Sequence, residues 1–450
     1  MPVVFWPVPP MIRGPQQTVM SHWLKFCRLA AGTELRRNFL ETYGTRLLVA
    51  VIGFATTIVI SRTLGPAGRG LFAVATTISA ISVQFGNLGL CSSNTYCVAK
   101  DRGLLPALIG NTLAVVLVAS GLTAIIGIGF VFWPNLAPLP GLLFALTLAS
   151  VPADLASSLS EGLLLGVNEV RTYNAIEYFA KLATLLLISI AALAHAVTVE
   201  LFFGIYLGSS LLGFMWALLR LRRVSTLRPG LSLPVFRRSI DIGLRAYLIL
   251  FFGFLVLRID LLMVQHLLGR AEAGYYSVSQ AFSEKLMMLP VIIGLLLFPK
   301  LSGMKDHEKK SQLAIKASLV TAVLMLPTVV IAALAAGPMI KIAFGRSFLP
   351  AVVPFVWLTP GIYFLAIETV MVQLLNSDGF PTIIVVAWIL DAIVNIALNF
   401  WAIPHYGITG ASMVSSGCYF LMFLVVSVAV LNRDYKRRQV LADARTALPA

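Results

Sequence analysis

LGPAGRGLFAV (64–74) and LGRAEAGYYSV (268–278) are two copies of one pattern. Both read Leu-Gly, four residues, Gly, one residue, an aromatic, one residue, Val, at an offset of 204. Glycine permits backbone conformations closed to other residues, so these glycines suit a tight reversal of the chain. A turn with no ligand role is enough to explain them. A weaker match sets Leu164–Leu165 against Leu374–Leu375 at an offset of 210. A repeat of this period predicts two halves built alike.

The sequence around the repeat is apolar on a scale that sets its solvent. Of 450 residues, 58% are hydrophobic and 12% are charged. A soluble chain carries about 25% charged residues. That contrast excludes an ordinary soluble enzyme, a disordered chain and a secreted disulfide scaffold. A helix needs about 20 mostly apolar residues to cross a bilayer. Twelve segments meet that length: 43–62, 71–98, 106–132, 140–166, 171–195, 200–220, 240–267, 273–299, 312–336, 348–376, 381–402 and 409–431. The longest connection, LRRVSTLRPGLSLPVFRRS (221–239), divides them six and six.

Charge tests this division independently. Lys and Arg number 34 against 19 Asp and Glu, a net charge of +15. With the N-terminus placed in the cytoplasm, cytoplasmic segments hold 24 of the 34 bases and the opposite side holds five. The other five, Arg46, Lys181, Arg245, Arg258 and Lys285, fall inside spans. Such a bias sets orientation by the positive-inside rule. Five parts are expected: a cytoplasmic segment 1–42, a six-helix lobe 43–220, a basic cytoplasmic linker 221–239, a second lobe 240–431 and a basic cytoplasmic tail 432–450. The basic excess points to anionic membrane lipid, and no nucleic-acid-binding pattern occurs.

Other signals exclude more than they identify. Cys27, Cys91, Cys97 and Cys418 form no metal-spaced cluster and read as small packing residues. The apolar opening Val3–Val8 is too short and proline-broken for a cleavable signal. Met1, Met11 and Met20 are all candidate starts. There is no Walker motif, HExxH, GxSxG or nucleotide-sugar motif, and the loops near 133–140 and 337–348 are too short for a catalytic domain. A non-enzymatic membrane protein is expected, with no metal and no cofactor.

Six helices per half is an even number, so both halves enter the membrane in one direction. The expected fold is all-α, with 12 transmembrane helices in two six-helix bundles related by a pseudo-twofold axis along the membrane normal. Two such bundles rocking about a shared interface give alternating access. Pro152, Pro290, Pro327 and Pro360 lie within spans as candidate kinks, and Gly204-x-x-x-Gly208 is a candidate close-packing motif.

With these features in place, the chain resembles a known family. ISRTLGPAGRGLFAV (60–74), LRIDLLMVQHLLGRAEAGYYSVSQAFSEKLMMLP (257–290) with LFPKLS (297–302), AFGRSFLPA (343–351) and IPHYGITGAS (403–412) occur in the order found in bacterial polysaccharide flippases. These form the polysaccharide-transporter branch of the multidrug/oligosaccharidyl-lipid/polysaccharide (MOP) exporter superfamily. The resemblance covers roughly residues 35–431. It implies a flippase of the bacterial inner membrane, both termini cytoplasmic. The cargo it implies is an undecaprenyl-pyrophosphate-linked oligosaccharide, moved from the inner to the outer leaflet for O-antigen, exopolysaccharide or capsule synthesis. A polysaccharide polymerase and glycosyltransferases are the implied partners.

Intramembrane charges are costly and mark candidate sites. Arg258 and Asp260 lie at similar depth to Glu284 and Lys285, which pairs Arg258 with Glu284 and Asp260 with Lys285. Glu177 and Lys181 are spaced i, i+4 in the favourable order, with Asp154 as a competitor. Arg46 has no acid within its own turn. Arg46, Lys181, Arg258 and Lys285 are therefore the expected substrate-binding cations. Glu368 and Asp391 lie at one depth, and Asn395 and Asn399 continue the face of Asp391. Glu368, Asp391 and Asn395 are the expected ion-coupling group, for H⁺ or Na⁺, unless the membrane potential alone drives transport. Seven intramembrane acids (Asp154, Glu161, Glu177, Asp260, Glu284, Glu368, Asp391) exceed the five bases. That excess keeps a second expectation open: a cation-coupled multidrug antiporter of the same superfamily.

Overall fold

A computed structural model describes residues 33–133, 137–224, 230–379 and 381–446. The candidate starts, Lys25, Cys27, Arg28, linker residues 225–229 and the last four residues of the tail lie outside the described residues.

Among the described residues the structure is helical throughout. The first six helices are α1 (Thr33–Asn87), α2 (Leu90–Lys100), α3 (Leu105–Phe132), α4 (Gly141–Gly166), α5 (Val170–Leu193) and α6 (Val199–Val224). After the linker come α7 (Leu233–Val256), α8 (Ile259–Leu268), α9 (Arg270–Leu286) and α10 (Met288–Gly303). The last four are α11 (His307–Leu334), α12 (Ala336–Phe344), α13 (Val352–Asn376) and α14 (Thr382–Thr446). Two of these are interrupted by a left-handed glycine: α1 at Gly65 (φ 65°) and α14 at Gly407 (φ 62°). Gly269, between α8 and α9, has φ 97°. Gly65 and Gly269 are the matched Leu-Gly glycines, so the repeat is one of backbone conformation as well as sequence. Of the four prolines, only Pro290 adjoins a break, the 42° bend between α9 and α10. Pro152, Pro327 and Pro360 sit inside single continuous helices.

Nine of these helices are long and apolar enough to cross a membrane, or ten if α9 and α10 form one span. Their outward faces carry large exposed apolar side chains. On α3 these include Leu117, Ile125, Ile128 and Val131. In a soluble protein such surface would aggregate; in a bilayer it faces lipid. The chain is a multi-pass membrane protein.

Contacts divide the chain into two units. One comprises the residues before Gly65 together with Ala75–Tyr247; the other comprises Gly65–Val74 and the residues from Leu248. In the first unit, Leu155, Leu159 and Leu163 line one face of α4 and are essentially fully buried. Gly162 and Gly166 let α2 approach α4 closely: a Cβ on Gly162 would stand 2.6 Å from Cys91 O, and one on Gly166 3.0 Å from Thr95 O. Thr95 Oγ1 donates across that contact to Gly162 O at 2.8 Å. The spacing is the small-xxx-small pattern of packed membrane helices. Gly204 and Gly208, by contrast, would meet nothing within 4 Å, so this motif meets no other helix among the described residues of the chain. The second unit is built around Met325, Ala366, Val370, Leu374, Ile384 and Val426, all essentially fully buried.

The segment Gly65–Val74 belongs to the second unit because the two matched loops meet there. A Cβ on Gly70 would stand 1.8 Å from Arg270 O, and one on Gly274 2.0 Å from Pro66 O. Each loop's central glycine is thus pressed against the other loop's backbone.

Both units carry the same polar clamp at corresponding places. In the first, Glu169 between α4 and α5 accepts two hydrogen bonds from Arg220 on α6, at 3.2 and 2.9 Å. Arg102 donates to Val167 O at 3.2 Å. In the second, Asp378 between α13 and α14 accepts from Arg433 on α14 at 2.5 Å and from Lys310 on α11 at 2.6 Å. Lys310 also donates to Ser377 O at 3.4 Å. Glu169 matches Asp378, Arg220 matches Arg433, Arg102 matches Lys310 and Val167 matches Ser377. Burial works to raise both carboxyls, but the Arg220 and Thr172 hydrogen bonds more than offset it for Glu169. The Arg433 and Lys310 bonds do the same for Asp378. Both therefore sit below the ordinary carboxylate range. A depressed folded-state pKa gives stability that is present above the unfolded value, about 4, and is lost as pH falls through the folded one. Lys310 is 4% exposed and Arg433 10%, against 41% for Arg220. Asp378→Asn is therefore expected to cost about 3 kcal/mol, and Glu169→Gln about 1 kcal/mol or less. Thermal unfolding in detergent at pH 7 measures both, and the differences should shrink below about pH 4.

Candidate functional site

The expected site residues fall into three polar groups, one in the first unit and two in the second. In the first unit, Asp154 on α4 accepts from Ser79 Oγ at 3.0 Å, Tyr206 Oη at 2.9 Å and Ser210 Oγ at 2.5 Å. Three hydroxyls satisfy it, and it takes no proton donor from Lys181. Glu161 lies seven residues further along α4, on the same face. Its electrostatic neighbours are Glu177, Lys181 and Asp154. Glu177 leaves one carboxylate oxygen buried without a hydrogen bond. The expected Glu177–Lys181 ion pair is absent among the described residues. Lys181 Nζ stands instead 5.7 Å from the Tyr206 ring centroid, a cation–π contact. Buried Tyr173 is flanked by Glu177, Glu161 and Arg46. Arg46 thus shares an electrostatic neighbour, Tyr173, with both acids. Its Nε is buried with no hydrogen-bond partner. Arg46 and Lys181 thus share one polar belt with three carboxylates.

In the second unit, Arg258 occupies the break between α7 and α8, and Glu284 lies near the end of α9. They form the expected ion pair at 2.6 Å, with side chains 25% and 38% exposed. Arg258 also stacks 5.8 Å from the Phe254 ring centroid. Lys285 has Glu284 and Arg258 as electrostatic neighbours. Its expected partner, Asp260, is engaged elsewhere. Fully buried Asp260 accepts from Tyr276 Oη, Gln280 Nε2 (2.9 Å), Ser415 Oγ (2.9 Å) and its neighbour Leu261 N (2.8 Å). Four donors leave no site for Lys285. The pairing fails because depth along a helix does not tell which face a side chain occupies.

Glu368 on α13 and Asp391 on α14 are both buried and interact electrostatically. Asn399 Nδ2 donates to Asn395 Oδ1 at 3.1 Å, and Asn395 Nδ2 to Cys418 Sγ at 3.7 Å. Cys418 is also a neighbour of Asp391. Glu368, Asp391 and Asn395 are thus brought into one buried polar group on α13 and α14. No cluster of three or more His, Cys, Asp or Glu suited to a metal occurs among the described residues.

One residue escapes the sequence reading. Arg69 counts there as an outer-loop base, yet it is buried, with Glu284 and Arg258 as electrostatic neighbours. Its flanking residue Gly70 carries the signal, since a glycine under such pressure draws its neighbour into the packing.

Long apolar helices, two of them broken at left-handed glycines, make up a multi-pass helical membrane fold. The fold is similar to that of solved transporters of the MOP superfamily. It matches a solved "Lipid II flippase MurJ, inward closed conformation" with a TM-score of 0.72, at 13% identity over 86% of this chain and 87% of that one. It matches an inward-facing multidrug resistance MATE family transporter with a TM-score of 0.65, at 14% identity over 89% and 96%. The pattern of the polysaccharide biosynthesis protein family matches residues 59–354, and the chain belongs to that family. It is 25% identical over 155 residues to a "Putative O-antigen transporter" of Shigella flexneri, covering 34% of this chain and 37% of that protein. It is 27% identical over 157 residues to an uncharacterized membrane protein of Methanocaldococcus jannaschii, covering 34% and 31%. The matches thus span about a third of these two relatives' length.

Proposed function

We propose that this protein is a flippase for an undecaprenyl-pyrophosphate-linked oligosaccharide, moving it from the inner to the outer leaflet of the bacterial inner membrane. The observation that carries this is family membership over residues 59–354, joined to a fold shared with a lipid II flippase. The geometry agrees. Gly44–Asn87 and Thr382–Arg433 hold 44 and 52 residues. At 1.5 Å per residue these are about 66 and 78 Å long, each more than twice a ~30 Å hydrocarbon core. Broken at Gly65 and Gly407, each supplies two crossings, which takes the ten spans to twelve. Both termini and the basic linker are then cytoplasmic. Arg46, Lys181, Arg258 and Lys285 are the cations offered to the pyrophosphate, and the inner-leaflet basic segments gather anionic lipid.

Glu368, Asp391 and Asn395 are the proposed site for a coupling H⁺ or Na⁺. Such a site is also what a cation-coupled multidrug antiporter would need, and the MATE likeness favours that second reading. Proteoliposomes separate the two. The flippase is expected to move lipid-linked oligosaccharide across the bilayer and not to accumulate a cationic dye. Dye accumulation without oligosaccharide flipping would reverse the assignment. In the same vesicles Glu368→Gln and Asp391→Asn should abolish any dependence of flipping on a pH or Na⁺ gradient. A gradient response preserved in both variants discards the ion site.

A further inference from the structure

The polar group around Arg258 has a composition unlike the rest of the membrane interior. Three bases, Arg69, Arg258 and Lys285, lie around Glu284, while Asp260, the other acid within reach of Arg258, is held by four hydrogen-bond donors. All five lie in the second unit. The group sits where two helices are interrupted, α7 to α8 at Arg258 and α9 to α10 at Met287. Ten residues of α8 separate Arg258 from the Gly269 turn, about 15 Å and so half of a ~30 Å hydrocarbon core. Interrupted helices and unbalanced charge at mid-depth are the form that buried ion sites take in membrane transporters.

The two arginines stand in different states. Arg258 is a quarter exposed and already holds Glu284 at 2.6 Å. Arg69 is 9% exposed, and its Nε has no hydrogen-bond partner. It is anchored from behind, because Gly70 is pressed onto Arg270 O and Gly274 is pressed onto Pro66 O. Arg69 is therefore too buried to meet a ligand first, and its chain is too tightly held to swing out to one. Glu284, 38% exposed, lies within the electrostatic reach of both arginines.

We infer that Glu284 is a resident counter-ion that is handed from Arg258 to Arg69 when a diphosphate binds in the second unit. The incoming anion takes the Arg258 guanidinium, to which it can bond through two parallel N–H donors. Lys285 supplies a second, point-like cation. Glu284, displaced, is taken up by the Arg69 guanidinium. Without that second partner the released carboxylate would be left without a compensating charge at mid-depth in the membrane, which is costly. Arg69 is thus a positioning residue that acts through Glu284, while Arg258 and Lys285 touch the anion. The hand-over rests on the flippase reading for the source of the diphosphate, though not for its chemistry.

The test is a double-mutant cycle on the full chain in phosphatidylcholine nanodiscs, with inorganic pyrophosphate as the probe and calorimetry as the readout. Arg69→Ala should weaken pyrophosphate binding by about tenfold or more, the scale of one lost charged partner. Glu284→Gln should bind at least as tightly as the wild type, because the resident competitor is gone. The decisive variant combines them. With no carboxylate left to place, Arg69→Ala with Glu284→Gln should recover binding to within about twofold of Glu284→Gln alone. A merely structural Arg69 gives no such rescue, so a double variant as weak as Arg69→Ala overturns the hand-over. Should Arg69→Ala fail to assemble, Arg69→Gln takes its place in the cycle, and wild-type binding by Arg69→Gln overturns the proposal equally. The two readings fail separately. Pyrophosphate binding that obeys the cycle in a protein that flips no lipid-linked sugar keeps the hand-over and sinks the flippase. Undiminished binding by an Arg69 variant of an active flippase does the reverse.

Discussion

Gly70→Ala is expected to abolish accumulation of the folded protein, while Gly204→Ala and Gly208→Ala leave it unchanged. The methyl group of alanine at 70 would stand 1.8 Å from Arg270 O, and that atom is backbone, which cannot rotate away. Relief requires the two matched loops to separate. That separation would open the packing that holds Gly65–Val74 within the second unit and buries Arg69. The expected cost is about 4 kcal/mol or more, at the extreme of single substitutions. Gly204 and Gly208 meet nothing within 4 Å in either place, and alanine is the better helix former. Thermal unfolding of the three variants in detergent measures the contrast. A Gly70→Ala protein as stable as the wild type would show that the loops do not hold each other.

Arg46→Ala is expected to slow flipping of the lipid-linked oligosaccharide by about ten- to a hundredfold, with Arg46→Lys in between. A charge-assisted hydrogen bond is worth about 1.5–3 kcal/mol, and each 1.4 kcal/mol is tenfold in rate. Lysine keeps the charge but loses the planar fork that meets a phosphate through two bonds. Arg46 stands out because its Nε is buried without a hydrogen bond, whereas Arg258 already holds Glu284. The belt around Arg46 also includes Glu161 and Glu177, through Tyr173. Flipping in proteoliposomes at matched protein content decides the point, and normal flipping by Arg46→Ala removes the residue from the site.

The repeat and the Arg258–Glu284 pair were both legible in the sequence, for related reasons. The matched loops place left-handed glycines at the same motif position, and short connections force neighbouring helices to align by depth. Asp260 shows the limit of that logic. Depth puts it beside Lys285, yet Tyr276, Gln280 and Ser415 occupy its oxygens, and Ser415 comes from 155 residues away. The i, i+4 spacing of Glu177 and Lys181 permits a pair, but a tertiary neighbour, Tyr206, draws the lysine off. The small-xxx-small pattern occurs at Gly162–Gly166 and at Gly204–Gly208, and among the described residues only the first meets another helix. A pattern of small residues makes close packing available and does not say where a partner lies. The clamps at Glu169 and Asp378 were hidden because each joins a loop to a helix more than 50 residues on.

The most direct test of the flippase assignment is wild-type flipping under an imposed membrane potential. A diphosphate head carries about two negative charges, and each elementary charge crossing 100 mV is worth about 2.3 kcal/mol. An interior-negative potential therefore favours outward movement of the head by up to roughly twice that. In proteoliposomes with the cytoplasmic face inward, lipid-linked oligosaccharide should move outward faster as the interior is made negative, and slow when the potential is dissipated. Protein-dependent flipping that ignores the potential would contradict electrically driven export of the anion, and no protein-dependent flipping at any potential would contradict the assignment itself.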